Sequence, residues 1–398
     1  MNPVALYRIA RGCSWPVLRR IVVNFAWRGA GAVRAFEKRL QTGAPFFPAF
    51  LMLSITNQCQ LRCRGCWVQP TTPPQQLSRQ QLDALVEQAN QQRSYFFGIL
   101  GGEPLLHQDL LNFFATHPKC YFQLYTNGIA LTHETAAKLA RLGNVTPIIS
   151  IEGLQEESAR RRGREDVFQR AISALEASVQ AGLFTGVAAS ITKQNFAELV
   201  STDYLDLLVR HGVHYIWYYI YRPAGAHPEP ENALDREQIK ILRQFIVDQR
   251  RSAKLLIIDA SWDHQGNALC PGATGISHHI APSGAVEFCP PMQFCSGSLN
   301  ATADNLKTIL QEDDFLRQLR TFIADRTRGC ILLEDPAALA DFMRQHGAID
   351  SSNRDALTEL DQATVLPGHN DPDGIIPEKS WLYRLAKKYY FCGFGAYG

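Results

Sequence analysis

The sequence predicts an α/β protein built on a partial (β/α)6 barrel of the TIM type, with a basic helical arm before it and a small cysteine-rich domain after it. Three observations carry this expectation. From residue 50 onward, apolar runs alternate with amphipathic stretches six times in about 200 residues, the pattern of a parallel sheet with helical crossovers. Six units are too few to close an eight-stranded barrel. Beyond residue 260, Gly, Pro, Ser and Cys rise and helical periodicity fades.

The elements follow in order. Residues 1–42 hold eight Lys or Arg against the single acid Glu37, with apolar residues at helical spacing, as in Ile21/Phe25 and Val33/Phe36/Leu40. They read as helical and outside the main domain. Strands are expected at 50–55, 95–100, 121–125, 145–151, 186–191 and 213–221. Ser78 with Gln81 three residues later is a capping-box signature opening a helix to about residue 91. Further helices are expected at 109–116, 132–142, 166–181, 196–210 and 235–250, and again at 336–346. The stretch 350–380 is rich in turn-formers and reads as loop. Residues 381–398 hold seven aromatics together with Arg384, Lys387 and Lys388. Four regions result: an arm at 1–45, the barrel at 46–255, a cysteine-rich domain at 256–335, and a helix with an aromatic, basic tail at 336–398.

Composition narrows the function. With 398 residues and 46% hydrophobic content the chain buries a sizeable core, and a net charge of +2 makes no case for nucleic-acid binding. The ten cysteines do not read as a disulfide framework in so long an α/β chain. Three crowd into residues 59–66 and four lie between 270 and 330, as for metal or cluster ligation in a reducing compartment. Cys13, Cys120 and Cys392 stand alone, and Cys120 sits in an apolar run as a small buried hydrophobe. No apolar run is long enough to span a bilayer, and the first residues lack a secretory pattern. The expectation is a cytoplasmic protein.

The strongest chemical signal is Cys59, Cys63 and Cys66, directly after the first strand, at the end of a β/α fold where active sites form. Three thiolates hold three irons of a cubane and leave the fourth open, whereas electron-transfer clusters are closed by four. A zinc site is the bland alternative. After the second strand comes Gly101-Gly102-Glu103-Pro104, where glycines permit close backbone approach and a carboxylate suits an ammonium. The fourth strand ends in Ser150-Ile151-Glu152-Gly153, and Arg162-Gly163 with Phe168 follows.

With these residues in place the chain, over roughly 50–225, resembles the radical S-adenosylmethionine superfamily, whose defining motif is Cys-x3-Cys-x2-Cys. The resemblance implies a [4Fe-4S] cluster on Cys59, Cys63 and Cys66 and S-adenosylmethionine beside it. Gly101, Gly102 and Glu103 would receive its amino group, Ser150 and Glu152 its ribose, and Arg162 its carboxylate. It implies reductive cleavage of the cofactor, hydrogen abstraction from a substrate, and an external electron donor of flavodoxin or ferredoxin type. The family commonly has an aromatic just before the third cysteine; here that residue is Gly65, with Trp67 beyond Cys66. Thr192, Asn195 and 221–225 fit more weakly. Cys270, Cys289, Cys295 and Cys330 resemble a short SPASM/twitch-like extension with one auxiliary [4Fe-4S] cluster, and a structural zinc suits four cysteines equally well.

No catalytic acid or base is assigned: Asp259, Asp263, His264, His278 and His279 lack the geometry that such a role needs. The rival functions are a ferredoxin-like electron carrier and a zinc-stabilised binding module. The substrate reads as a peptide, from the auxiliary domain, or a lipid or isoprenoid, from the basic, aromatic termini. Those termini also suggest peripheral contact with the inner face of a membrane, which would bring the barrel mouth near a bilayer. The rival reading packs both termini on the barrel, covering its open edge.

Overall fold

The computed structural model describes residues 2–391. Nine strands form one sheet: β1 (Phe50–Ser54), β2 (Phe96–Leu100), β3 (Tyr121–Thr126), β4 (Val145–Ser150), β5 (Gly186–Ile191), β6 (Tyr215–Ile220), β7 (Leu256–Asp259), β8 (Ser277–Ile280) and β9 (Val286–Glu287). Their order is β7-β6-β5-β4-β3-β2-β1-β8-β9, and every neighbouring pair is parallel except β8–β9. The sheet stays open between β7 and β9. Its first six strands are the six expected, each followed by helix.

The sheet is wider than six strands because segments after residue 255 extend both edges. β7 adds to β6, and β8 pairs in register with β1 on the far side. β7 has four residues and β8 carries His278 and His279, so neither shows a long apolar run.

Helices lie where apolar residues recur at helical spacing. Arg79–Gln91 opens with the expected capping box, the Ser78 hydroxyl accepting from Gln81 N and the Gln81 side chain accepting from Ser78 N. Residues 196–210 form two helices, Phe196–Leu199 and Thr202–Arg210, because Ser201 caps the second. Helices Leu306–Glu312 and Asp314–Arg326 stand where none was expected, with Phe315, Leu319 and Ile323 buried one turn apart. Ala356–Gln362 is a further helix inside the expected loop.

Alternation along the strands sorts residues into two cores. Leu51, Leu53, Phe97, Ile99, Phe122 and Leu124 face the helices. Phe50, Met52, Phe96 and Tyr121 instead join Val33 and Phe36 of the arm. The arm therefore closes one end of the barrel, with Phe25 against Phe96 (5.6 Å between ring centroids) and Tyr121 (5.4 Å).

The arm crosses the N-terminal ends of the strands in turn. Arg8 donates to the carbonyls of Val213 and Lys254, leading into β6 and β7. Ser14 N donates to Gly182 O ahead of β5, and Asn24 Nδ2 to Pro118 O and Cys120 O ahead of β3. At the other chain end, Tyr383 Oη accepts from Ile257 N and Lys387 Nζ lies 2.9 Å from Asp259 Oδ1, which covers edge strand β7. The sites of Asp259 and His279 are structural. Asp259 is buried against Arg250 (2.6 Å), Arg243 (3.3 Å) and Lys387. His279 Nδ1 meets Glu287 at 2.6 Å and its Nε2 lies 2.7 Å from Ser54 Oγ. His278 lies against Arg320 (3.1 Å), and Asp263 holds the turn to Asn267. Cys120 is buried as expected, while the lone Cys392 lies outside the described residues.

Candidate active site

The opposite, C-terminal ends of the strands surround a cleft of about 580 Å³, lined by Cys59, Cys63, Cys66, Trp67, Gly101, Gly102, Tyr125, Ser150, Glu152, Arg162 and Tyr219, among others. That volume lies within the roughly 300–1,000 Å³ of ligand sites. The loop from β1 carries the cysteines. Asn57 clamps its two limbs, donating to Thr71 Oγ1 (2.9 Å) and accepting from Gln75 N (2.9 Å). Leu61 N and Asn127 Nδ2 both donate toward Cys59 Sγ, at 3.4 and 3.8 Å. Burial pushes the Cys59 thiol up, so metal binding there releases a proton.

Gly65 has φ +66°, and a Cβ built on it would stand 2.3 Å from Tyr221 Oη. Tyr221, just past β6, thus fills the space beside Gly65. Sequence spacing gave no sign of this pairing. Trp67 lines the cleft with its ring edge-on to His279, 5.6 Å away.

Gly101 and Gly102 press against the cysteine loop. Gly102 N donates to Thr56 O at 2.7 Å, and a Cβ on Gly102 would lie 2.3 Å from Gln58 O. Glu103 follows on the same segment. It is fully buried and absent from the cleft wall, and its carboxylate accepts from Leu105 N (3.1 Å), Thr126 Oγ1 (2.8 Å) and Asn127 N (2.8 Å). These bonds tie the end of β2 to the end of β3.

Ser150 stands at the end of β4. Glu152 Oε2 accepts from Arg161 Nη1 (2.8 Å) and Ser190 N (3.1 Å), and its Oε1 from Arg162 Nη2 (3.3 Å). Arg161 also lies over the Tyr221 ring, 5.3 Å from its centroid. Arg162 is buried with Nε lacking a hydrogen-bond partner. Burial works against its charge, but Cys63, Glu152, Cys66 and Cys59 outweigh that and hold its pKa above the ordinary arginine value. Asn195 stays outside the cleft, donating to Glu152 O and Ser190 O and accepting from Thr192 N.

Three of the four cysteines in the second group converge on one arginine. Cys270, Cys289 and Cys330 share Arg222, whose Nε lies 3.1 Å from Cys330 Sγ and whose pKa is raised by all three against the cost of burial. Arg222 also lines the cleft, as do Pro290 and Pro291 beside Cys289. Cys295 sits apart, on a short strand paired with Ile349–Asp350 and packed on Ala281 and Ala285. Burial and then Glu287 push its thiol to about 11. Among the described residues, no three His, Cys, Asp or Glu side chains are grouped as for a single metal ion.

Residues 53–203 match the family model described as the Radical SAM superfamily. The chain is 27% identical over 307 residues to mycofactocin maturase MftC of Mycolicibacterium smegmatis, covering 72% of this chain and 75% of that one. It is 26% identical over 223 residues to Fe-coproporphyrin III synthase of Methanosarcina barkeri, covering 53% of this chain and 55% of that protein, little more than half its length. Its fold is similar to SuiB of Streptococcus suis, solved with precursor peptide SuiA, with a TM-score of 0.60 at 17% identity over 74% of this chain and 71% of that one.

Proposed function

The domain over residues 53–203 belongs to the radical SAM superfamily, and from this premise we infer that the chain is a radical S-adenosylmethionine enzyme acting on a peptide. When bound, a [4Fe-4S] cluster and S-adenosylmethionine supply a one-electron cleavage that releases methionine and a carbon radical able to take hydrogen from an unactivated position.

The observation that carries this reading is the buried Arg162 guanidinium, with Nε unpartnered in the wall of the cleft that also holds the three cysteines. Such a group suits a carboxylate, which a planar guanidinium grips bidentately. Cys59, Cys63 and Cys66 supply thiolates for three irons. Gly101 and Gly102 let the methionine end lie close to the backbone, and Ser150 and Glu152 offer hydroxyl partners for the ribose. Glu103 holds the strand ends in place. The cleft walls keep solvent from the reacting carbon.

Cys270, Cys289 and Cys330 would hold an auxiliary cluster, with Arg222 donating to the Cys330 sulfur. A peptide substrate is favoured over a lipid because the basic arm lies at the opposite end of the barrel from the cleft. The similarity to a maturase and to a structure holding a precursor peptide points the same way. The reading includes an external reductant of flavodoxin or ferredoxin type, and peripheral contact with the inner face of a membrane through the arm.

Electron paramagnetic resonance of the anaerobically reconstituted, reduced protein tests this. Adding S-adenosylmethionine should change the signal of the three-cysteine cluster, because the cofactor binds its open iron. A spectrum indifferent to the cofactor would overturn the reading.

A further inference from the structure

The arm presents two stripes. Val17, Asn24, Val33 and Phe36 are buried against the barrel, and a second stripe on the same helical stretch faces solvent. Along it run Trp15 (75% exposed), Arg19, Val22 (63%), Trp27 (80%), Arg34 and Lys38, at intervals of one or two helical turns, three to seven residues. Helix Gly29–Thr42 also packs on the C-terminal Lys387–Phe391 segment, near Trp381 (70% exposed) and Tyr389 (58%).

We propose that this stripe is a binding surface for an anionic lipid bilayer, holding the enzyme with the N-terminal end of its barrel on the membrane and its cleft turned away. Apolar and indole side chains interleaved with cations are the pattern that lies in a headgroup region. The arm carries +7, eight cations less Glu37. Arg8, Arg20, Arg28 and Arg39 donate to backbone carbonyls of the barrel, whereas among the described residues Arg19, Arg34 and Lys38 form no ion pair and stand exposed, so their charge is available to lipid phosphates. The helix is already fixed by its buried stripe, so binding pays no folding cost.

The orientation follows from topology. The arm crosses the strand ends that precede β1, β3, β5, β6 and β7, and the cysteine loop leaves the other end. Strands of five or six residues put roughly 17–20 Å between the two. This reverses the expectation that membrane contact would bring the mouth to the bilayer. The substrate then arrives from solvent, which deepens the peptide reading above and rests on it.

The test is flotation of the full-length reconstituted protein with phosphatidylcholine vesicles, with and without phosphatidylglycerol. Wild type should float only with the anionic vesicles, and much less in about 1 M salt than in about 0.05 M. Arg19→Glu with Arg34→Glu should lower partitioning more than about ten-fold. Brominated lipid should quench wild-type fluorescence but not that of the triple Phe variant at Trp15, Trp27 and Trp381, whose remaining indoles lie away from the arm. No flotation at low salt, unchanged flotation of the Glu variant, or quenching that survives in the Phe variant would overturn the proposal. So would dimerisation abolished by Trp15→Ser with Trp27→Ser, which would make the stripe an interface between two copies. All three variants should still form 5′-deoxyadenosine in solution. Loss of that activity in wild type would count against the enzyme reading alone.

Discussion

Arg162 is the residue on which cofactor recognition turns. Its Nη2 already reaches Glu152, while Nε is buried without a partner beside three cysteines. A lysine would keep the charge and lose the fork. Arg162→Lys should therefore weaken S-adenosylmethionine binding to the reconstituted protein about ten-fold, a loss of roughly 1.4 kcal/mol, with iron content unchanged. Equilibrium binding checks this, and unchanged affinity would remove Arg162 from the site. Neighbouring residues show how far sequence reaches at this scale. The cysteine spacing and the Gly-Gly approach were legible because each follows from local chemistry. The hydrogen bonds of Glu103 were not, because its partners, Thr126 and Asn127, lie at the end of another strand. The same holds for Tyr221, which meets Gly65 only once the barrel forms.

Cys295 lies on a short strand packed on Ala281 and Ala285, while Cys270, Cys289 and Cys330 share Arg222, a grouping that spacing in sequence does not reveal. Wild type should carry about eight irons per chain. Cys295→Ala should retain them, whereas joint replacement of Cys270, Cys289 and Cys330 by Ala should leave about four. Loss of iron in the Cys295 variant would restore the four-cysteine set. At β7, burial alone would raise the Asp259 pKa, but Lys387, Arg250 and Arg243 outweigh it and hold the carboxyl far below its usual range. A carboxyl depressed in this way stabilises the fold above its unfolded pKa, near 4, and the contribution is lost as pH falls. Asp259→Asn should cost about 3–5 kcal/mol at neutral pH, since it leaves buried cations uncompensated. The gap from wild type should shrink below about pH 4. Urea unfolding at both pH values measures it, and an equal gap at each would exclude the charge network as the cause. Strand β7 itself escaped sequence reading because four residues give too little periodicity. The helix Asp314–Arg326 went unread although Phe315, Leu319 and Ile323 recur one turn apart, because the Gly-, Pro- and Cys-rich stretch before it set the reading of the whole region.

At the scale of the whole molecule, the barrel has a closed end and an open end. The arm and the inward-facing Phe25, Phe50, Phe96 and Tyr121 fill the first, and the cysteine loop, Arg162 and the Gly-Gly segment surround the second. The six-unit alternation made this architecture legible, because parallel strands buried on both faces read as apolar runs. The place of the arm was not legible, since an amphipathic basic helix fits a barrel and a bilayer equally well until its buried stripe is known. The central claim is that Cys59, Cys63 and Cys66 carry the chemistry. Its most direct test is the formation of 5′-deoxyadenosine from S-adenosylmethionine by anaerobic, reconstituted protein given a strong reductant. Wild type should form it, and the variant with all three cysteines replaced by Ala should form none while keeping about four irons. Undiminished cleavage by that variant would contradict the account.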